Sequence, residues 1–476
     1  MTFMKGRAHR SSGRMRAFKS NLVSLIAVVI HGAAVLNGCA SVDPSPDYDR
    51  AVAEIRSATG VDQVYHPDEA ESLSKREGEL LADGLELREA VELGLLRNPL
   101  LQAAFRNVGL AKADRVQAGL LSNPSLAAAL RFPLDGGRTQ VEGALSTGLA
   151  DLWQIPARSA VAQQALERSV FELAHAAVQL AGDLRRAYWE VLAAERQWSM
   201  AQENREFAAR LVELVSARLQ VAAATAIDKN LVDLELFDAE IALRDAELQV
   251  GQKRRRFVAL LGYAKTPPDL HLVGEFPDSS HSLPELQALQ KLAGIRRLDI
   301  RAATARLQQA EEELRRQSGL VFKSLQGGIE GEREDDWALG PAVRLEIPIF
   351  DQNQAQIAKA EEALAQQEAL LRAVRISATE EVASAYAQSQ AQWDAVDLYG
   401  DQVLLAQEAV ELSQQSYQAG KATILPVIEA QRKLLSARQR LLVRLGKAAV
   451  AVSDLERAVG IPREELFQAE LNQARK

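Results

Sequence analysis

WALGPAVRLEIPIFDQNQAQIAKAEEALAQQEALLRAV (Trp337–Val374) contains a change of period that decides the fold. In its first part Trp337, Leu339, Val343, Leu345, Ile347 and Ile349 oppose Ala338, Gly340, Arg344 and Glu346. Apolar side chains at every second position give an extended strand one apolar and one polar face. Beyond Phe350-Asp351-Gln352-Asn353 the pattern steps by three and four, through Ile357, Ala360, Leu364, Gln367, Leu371 and Val374. That is the spacing of a helix packed along a narrow seam, as in a coiled coil. The helical pattern runs from Asn353 to Gln418, and at a rise of 1.5 Å per residue such a stretch is roughly 90 Å long. No compact domain needs that length, whereas an elongated, tube-like assembly does.

The same succession occurs earlier in the chain. Leu126, Ala128, Leu130 and Phe132 share one parity, a turn follows at Asp135-Gly136-Gly137, and Val141, Leu145 and Leu149 then oppose Gln140, Glu142 and Ser146. A long helical stretch runs from Ala157 to Leu219, preceded by Pro156, a residue tolerated in the opening turn of a helix. A fourth strand near Val321 to Glu332 alternates less regularly, with Gly327-Gly328 expected to kink it. Helix pairs are expected at about 86–120 and 284–318, ahead of the strands in each half.

Landmarks recur at a near-constant offset. Ala103-Ala104 matches Ala302-Ala303 at 199 residues, while Ala165-Leu166 matches Ala363-Leu364 and Tyr188 matches Tyr386 at 198. This period is far longer than a solenoid repeat and signals duplication of a domain-sized unit. The expected organisation is an export signal over 1–38, an extended N-terminal segment over 39–84, a first repeat over 85–283, and a second repeat with a C-terminal tail over 284–476. The expected fold class is mainly α, a duplicated unit with a long α-helical tunnel, four β-strands per chain and a small transmembrane β-barrel. Four strands cannot close around a lumen, since small closed barrels begin at about eight. Three chains would supply twelve.

The N-terminus supports a membrane address. A basic stretch with Lys5, Arg7, Arg10, Arg14, Arg16 and Lys19 precedes an apolar run from Leu22 to Leu36, which ends at Leu36-Asn37-Gly38-Cys39. Cys39 is the only cysteine, and its position after a short apolar run is that of a lipidated residue exposed by signal-peptide cleavage. Each acyl CH₂ buried in a bilayer contributes about 0.8 kcal/mol, so several chains anchor firmly. Ala40 follows the cysteine, where an aspartate would favour inner-membrane retention, so the expected location is the outer membrane. With one cysteine there is no disulfide framework and no thiolate metal cluster. Aromatics make up 5% of the chain, and Ala, Gln, Glu, Leu and Arg crowd long stretches, a mixture that favours long helices. The net charge of −8 and the single basic run Lys253–Arg256 argue against a nucleic-acid partner.

These features together resemble the TolC-type outer-membrane efflux family. The telling stretches are Leu85-Glu86-Leu87-Arg88-Glu89-Ala90-Val91 leading into Arg97-Asn98-Pro99-Leu100, its echo Arg297-Leu298-Asp299-Ile300-Arg301-Ala302-Ala303, Phe350-Asp351-Gln352-Asn353, and SYQAGKATILPVIEAQRKLLSARQRLL over Ser416–Leu442. AGLLSNPSL, Ala118–Leu126, is similar to the branch associated with heavy-metal cation efflux. The resemblance implies a homotrimer embedded in outer-membrane lipid, with a twelve-stranded barrel and a periplasmic tunnel. It further implies a tip that opens when a periplasmic adaptor and an inner-membrane transporter, of the resistance-nodulation-division type, engage it. A type I secretion duct and a pore-less periplasmic coiled-coil scaffold are the alternatives.

No enzyme motif is present: HExxH, GxSxG and a nucleotide loop are all missing, and the six histidines are scattered. No catalytic residue, metal site or cofactor is expected. His175 stands alone on a long helix, as a polar-face residue, and Met200 is the only methionine outside the leader, too few for a soft-metal relay. What remains is a gate. Two breaks, Ala222–Lys229 and Ala419–Thr423, interrupt the long helices at the expected tip. The resemblance places acidic gate residues just after such breaks. Pro426 occupies the first of those positions, Glu429 matches the second, and Asp228 is the counterpart of Pro426 in the first half. Rings of carboxylates at a constriction favour cations over anions. The competing reading is that Asp228 caps the returning helix and Glu429 is a solvated surface acid.

Overall fold

The computed structural model describes residues 40–69, 73–132, 134, 139–268, 270–277, 283–320, 322–333 and 336–466. Cys39, the Asp135-Gly136-Gly137 turn, Val321 and the tail beyond 466 lie outside the described residues. The fold below is that of the unit beginning at Pro44.

Two helices, α1 (Ser45–Thr59) and α2 (Leu73–Ala82), come first. The first half then continues with α3 (Leu87–Arg97), α4 (Pro99–Ala118), β1 (Ser125–Arg131), β2 (Gln140–Gly148), α5 (Asp151–Gln220) and α6 (Ala226–Leu260). The second half repeats the order with α7 (Leu286–Arg296), α8 (Leu298–Gly319), β3 (Leu325–Arg333), β4 (Trp337–Leu345), α9 (Gln354–Gln418) and α10 (Leu425–Val459). Leu87 and Leu286, Pro99 and Leu298, and Ala226 and Leu425 open corresponding helices, each pair 199 residues apart. The returning helices α6 and α10 are both 35 residues long.

Length sets the shape of each half. At 70 and 65 residues, α5 and α9 extend about 105 and 98 Å. Along α9 the residues at three- and four-residue steps are the ones withdrawn from solvent: Ala360, Leu371, Ala378, Val382, Ala385 and Ser389 are buried. Such a seam stabilises a helix through packing rather than propensity. Its N-terminus is held by Asn353, which adopts the left-handed conformation and donates its amide to Gln317 O at 2.7 Å and to Gln317 Oε1 at 2.8 Å.

The largest core surrounds the Leu166–Leu192 stretch of α5, wrapped by α1, α3, α4 and the end of α6. Ile55, Leu93, Phe105, Leu184, Tyr188 and Phe257 are among its fully buried large side chains, and the Tyr188 hydroxyl donates to Val273 O at 2.6 Å. Segment 39–84, expected to be extended, instead holds α1 and α2. Tyr48, Ala51, Val52 and Ile55 recur at helical spacing and bury against this core, so the segment winds rather than stretches.

The motif echo has a structural meaning. Asn98 caps α4, accepting from the N–H groups of Leu100 and Leu101, and donates to Leu260 O at 2.9 Å. In the matching corner of the second half, buried Arg297 ties Asp299 (2.6 Å), Glu381 (2.8 Å) and Ala458 O (2.9 Å) together. Burial works against the Asp299 carboxylate, but the hydrogen bond and charge of Arg297 outweigh it and hold its pKa below the usual carboxylate range.

Two expectations about the helices change. Helix α5 begins at Asp151, so Pro156 lies inside it, in the second turn, not the first. The chain winds as soon as it leaves the sheet, because Asp151 accepts from Ser122 N at 2.6 Å and pairs with Arg158 at 3.0 Å. The first break is shorter than expected, since Thr225 caps a helix that already runs from Ala226.

The four strands form one antiparallel sheet in the order β1-β2-β3-β4. Gly327 and Gly328 do not kink it, for both are paired on either side. A Cβ on Gly328 would lie 2.2 Å from Leu145 O, so glycine there permits close strand approach.

Candidate functional site

Strand register joins the alternation of single strands into two continuous faces. On one face Leu126, Leu145, Ile329 and Pro341 stand side by side, as do Ala128, Gly143, Gly331 and Leu339. Leu126 is 80% exposed and Val343 72%, so this apolar face is uncovered in the single chain. On the other face Ala129, Glu142, Glu332 and Ala338 share one row, and Ala127, Ala144, Glu330 and Gly340 the next. Small side chains on that face leave a hollow lined by Glu142, Glu330, Glu332 and Arg344. Arg131 pairs with Glu142 at 2.7 Å and Arg344 with Glu330 at 3.7 Å. Leu345 therefore belongs to the apolar face and Arg344 to the polar one, as the alternation predicts. Both outer strands, β1 and β4, have an unpaired edge.

At the far end of the long helices, two hairpin tips meet. Leu211, Val215, Val232, Tyr417, Ile424, Val427 and Ile428 form a small core between α5, α6, α9 and α10. The turns differ: position 420 is a glycine at φ 70°, while its counterpart 222 is an alanine at φ 57°, a conformation costing an L-residue about 1–2 kcal/mol. Asp228 sits in the first turn of α6 within a capping box. Its Oδ2 accepts from Thr225 N and from Thr225 Oγ1, each at 2.8 Å, and its own N–H donates to Thr225 Oγ1 at 3.2 Å. Glu429 is exposed in the opening turns of α10, near Arg432, whose guanidinium binds Glu235 of α6 at 2.6 Å. Asp228 and Glu429 thus lie on corresponding turns of the two returning helices, without a hydrogen bond or ion pair between them among the described residues.

One tip residue gives no signal in the sequence. Arg218, near the end of α5, donates to Tyr417 O at 3.2 Å and Gln418 O at 3.4 Å, and its guanidinium lies 4.2 Å from the Tyr417 ring centre. It joins the two hairpins by capping the last turn of α9, where a cation suits the helix dipole. No motif or repeat landmark marks an arginine there.

Other singled-out residues take structural places. His175 is not on a solvated face: it lies half-buried among Gln179, Arg297, Asp299, Glu381 and Arg457, and burial pushes its pKa down. Lys253 pairs with Glu190 (3.0 Å) and Arg254 with Glu195 (2.7 Å), so α5 offsets much of the basic run. Among the described residues no cluster of three or more His, Cys, Asp or Glu side chains is placed to hold a metal ion.

Comparison with known proteins agrees with this geometry. Residues 289–461 match the model of the family described as outer membrane efflux protein. The chain is 28% identical over 300 residues to the cobalt-zinc-cadmium resistance protein CzcC of Cupriavidus metallidurans, covering 61% of this chain and 71% of that one. It is likewise 28% identical over 332 residues to the pyoverdine export outer membrane protein OpmQ of Pseudomonas aeruginosa, covering 65% and 67%. Among solved structures, CusC superposes with a TM-score of 0.67 at 20% identity, over 78% of this chain and 91% of that one. The open-state outer membrane channel MtrE of Neisseria gonorrhoeae superposes with a TM-score of 0.66 at 21% identity, over 79% and 88%.

Proposed function

This chain belongs to the outer membrane efflux protein family, of the TolC type, and from that premise we propose that three copies form the passive exit duct of a tripartite efflux pump. The observation that carries the reading is the four-stranded sheet. Its apolar face is bare, its polar face is lined by carboxylates and small residues, and both edges are open. Joining β1 of one copy to β4 of the next removes every edge, as a membrane sheet requires. Eight strands, from two copies, would leave an interior filled by side chains, whereas twelve leave a lumen. A coiled-coil scaffold gains nothing from such a face.

The helices supply matching seams. On α6, Ile227, Leu234, Ile241 and Leu248 recur every seven residues, and on α9 Leu398, Leu405 and Leu412 do the same; each is at least 57% exposed in the single chain. Stripes of this period pack against a partner helix, and neighbouring copies of the chain provide one. Detergent-extracted protein reconstituted in planar bilayers tests the duct: trimers that conduct ions support it, and a non-conducting extract of any size refutes it.

The cargo is proposed to be cationic, after the cobalt-zinc-cadmium relative, with selection made in an inner-membrane transporter of the resistance-nodulation-division type and delivery through a periplasmic adaptor. The row containing Glu142 and Glu332 puts two carboxylates per copy at one level of the lumen. Asp228 and Glu429 add acids at the tip, where they act as a gate ring in addition to any capping. Exchanging them together as Asp228→Asn and Glu429→Gln keeps shape while removing charge. The expected result is lower cation-over-anion selectivity in reconstituted channels, persisting at 0.15 M salt, where a Debye length of about 8 Å screens remote surface charge. Unchanged selectivity assigns Asp228 to its capping box alone and Glu429 to the surface.

The anchor is proposed at Cys39, outside the described residues. Cys39→Ala is expected to abolish palmitate incorporation while the protein still forms its barrel. Equal labelling of both proteins removes the lipid anchor from the account.

A further inference from the structure

His175 stands on α5 where the two halves of the chain meet. The cleft around it is lined by Ala58 of α1, Gln179 of α5, Arg297 and Asp299 of the α7–α8 corner, Glu381 of α9 and Arg457 of α10. Arg297 engages both carboxylates, Asp299 at 2.6 Å and Glu381 at 2.8 Å. Two carboxylates thus face two guanidinium groups, and α1 brings no charged side chain to the cleft. The Arg457 guanidinium donates to Gln179 Oε1 at 3.0 Å. That bond fixes the Gln179 amide, so its Nε2 is the atom turned to His175 Nε2, 3.4 Å away. An amide nitrogen only donates, hence His175 Nε2 accepts and the neutral ring carries its proton on Nδ1.

From this arrangement we propose that His175 makes the joint between the two halves acid-sensitive, a proton on its Nε2 opposing the Gln179 amide and loosening the tie from α5 to α10. The added proton turns Nε2 into a donor facing a donor. The Gln179 amide relieves that only by rotating, which removes the oxygen that the Arg457 guanidinium uses. The proton also adds a positive charge to a cluster in which the charges already balance. Burial likewise disfavours the charged ring and holds the His175 pKa below its ordinary value of about 6.5. With the folded-state pKa lowered, the joint is intact above about pH 6.5 and weakens as the pH falls from there through the folded-state value. A second α5–α10 tie, Arg186 to Asp454 at 2.8 Å, contains no histidine, so the joint loosens without coming apart. From it α5 runs to the tip at Gln220 and α10 returns from the tip at Leu425, so slack at the joint lets the two hairpins part.

The test compares melting midpoints of the whole chain in detergent at about pH 7.5 and about pH 5, which bracket histidine titration, by the helical signal in circular dichroism. The wild type is expected to lose several degrees more on acidification than His175→Gln, which stays neutral. Gln179→Glu is expected to lose as little as His175→Gln, because a carboxylate accepts from both the protonated ring and Arg457. Carboxylates elsewhere titrate alike in all three proteins and drop out of the comparison. Equal losses in wild type and His175→Gln overturn the acid-sensitive joint. A full loss in Gln179→Glu overturns it too, since the amide then does not oppose the proton, and this variant decides alone if His175→Gln does not fold. In planar bilayers, and resting on the duct reading above, acidification is expected to raise the open fraction several-fold in the wild type and little in either variant. An equal rise in all three overturns the coupling of joint to tip. A chain that conducts at no pH overturns the duct reading, and the melting comparison still decides the joint.

Discussion

A chain carrying Val343→Arg is expected to yield almost no assembled trimer, while Ala342→Arg assembles close to the wild-type level. Val343 lies midway along the apolar alternation from Trp337 to Ile349, and it is exposed on the face that meets lipid. An arginine at that depth costs about 2–4 kcal/mol per copy, hence on the order of 10 kcal/mol for three copies. That approaches the whole stability of an ordinary domain, about 5–15 kcal/mol. Ala342 is one residue away, in the row of Ser125, Ser146 and Gly328 on the polar face. There an arginine enters water beside other small side chains. The trimer fraction on semi-native gels after membrane extraction reads the difference. Equal assembly of the two variants means that the sheet does not face lipid.

Arg218→Ala is the second large effect, in the opposite sense, because it should loosen the tip. In the proposed gate, widening the aperture would separate the α5–α6 hairpin from the α9–α10 hairpin. Arg218 bridges them through two carbonyls and the Tyr417 ring. Hydrogen bonds from a charged donor contribute about 1.5–3 kcal/mol, and cation–π contact adds about 0.5–2 kcal/mol. Losing both is expected to raise the population of the open tip by roughly one and a half to three and a half orders of magnitude at 1.4 kcal/mol per decade. Single-channel recordings should show longer and larger openings, with Arg218→Lys in between. Because Tyr417 and Ile424 stay packed in the tip core, the variant is expected to fold. Recordings identical to the wild type mean that the hairpins are held elsewhere, with Arg432–Glu235 and Arg438–Glu203 among the other ties.

What could be read from the sequence depended on whether a segment's pattern is set by its own environment. The strands and long helices were legible because each keeps a single apolar face over many residues: Trp337 to Ile349 at period two, Ile357 to Val374 at three and four. The α1 and α2 helices were not legible in 39–84, because their apolar face is short and takes its meaning from Phe105 and Leu85, which arrive later in the chain. The start of α5 was misplaced at Pro156, since Asp151 depends on Ser122 and Arg158 rather than on local propensity. At the tip, Asp228 was legible as a residue beside a break, but its reciprocal bonds with Thr225 emerge only in three dimensions. Arg218 was invisible, because its partners lie 199 and 200 residues away and are backbone carbonyls, which any sequence supplies.

Native mass spectrometry of the protein released from detergent tests the central claim most directly. A single species at three times the mass of one chain is the expected result, since three four-stranded sheets make the twelve strands that enclose a lumen. A monomer leaves the β1 and β4 edges unpaired in the bilayer, and a dimer closes at eight strands around a filled interior. Either mass, found in extracts from intact membranes, contradicts the account.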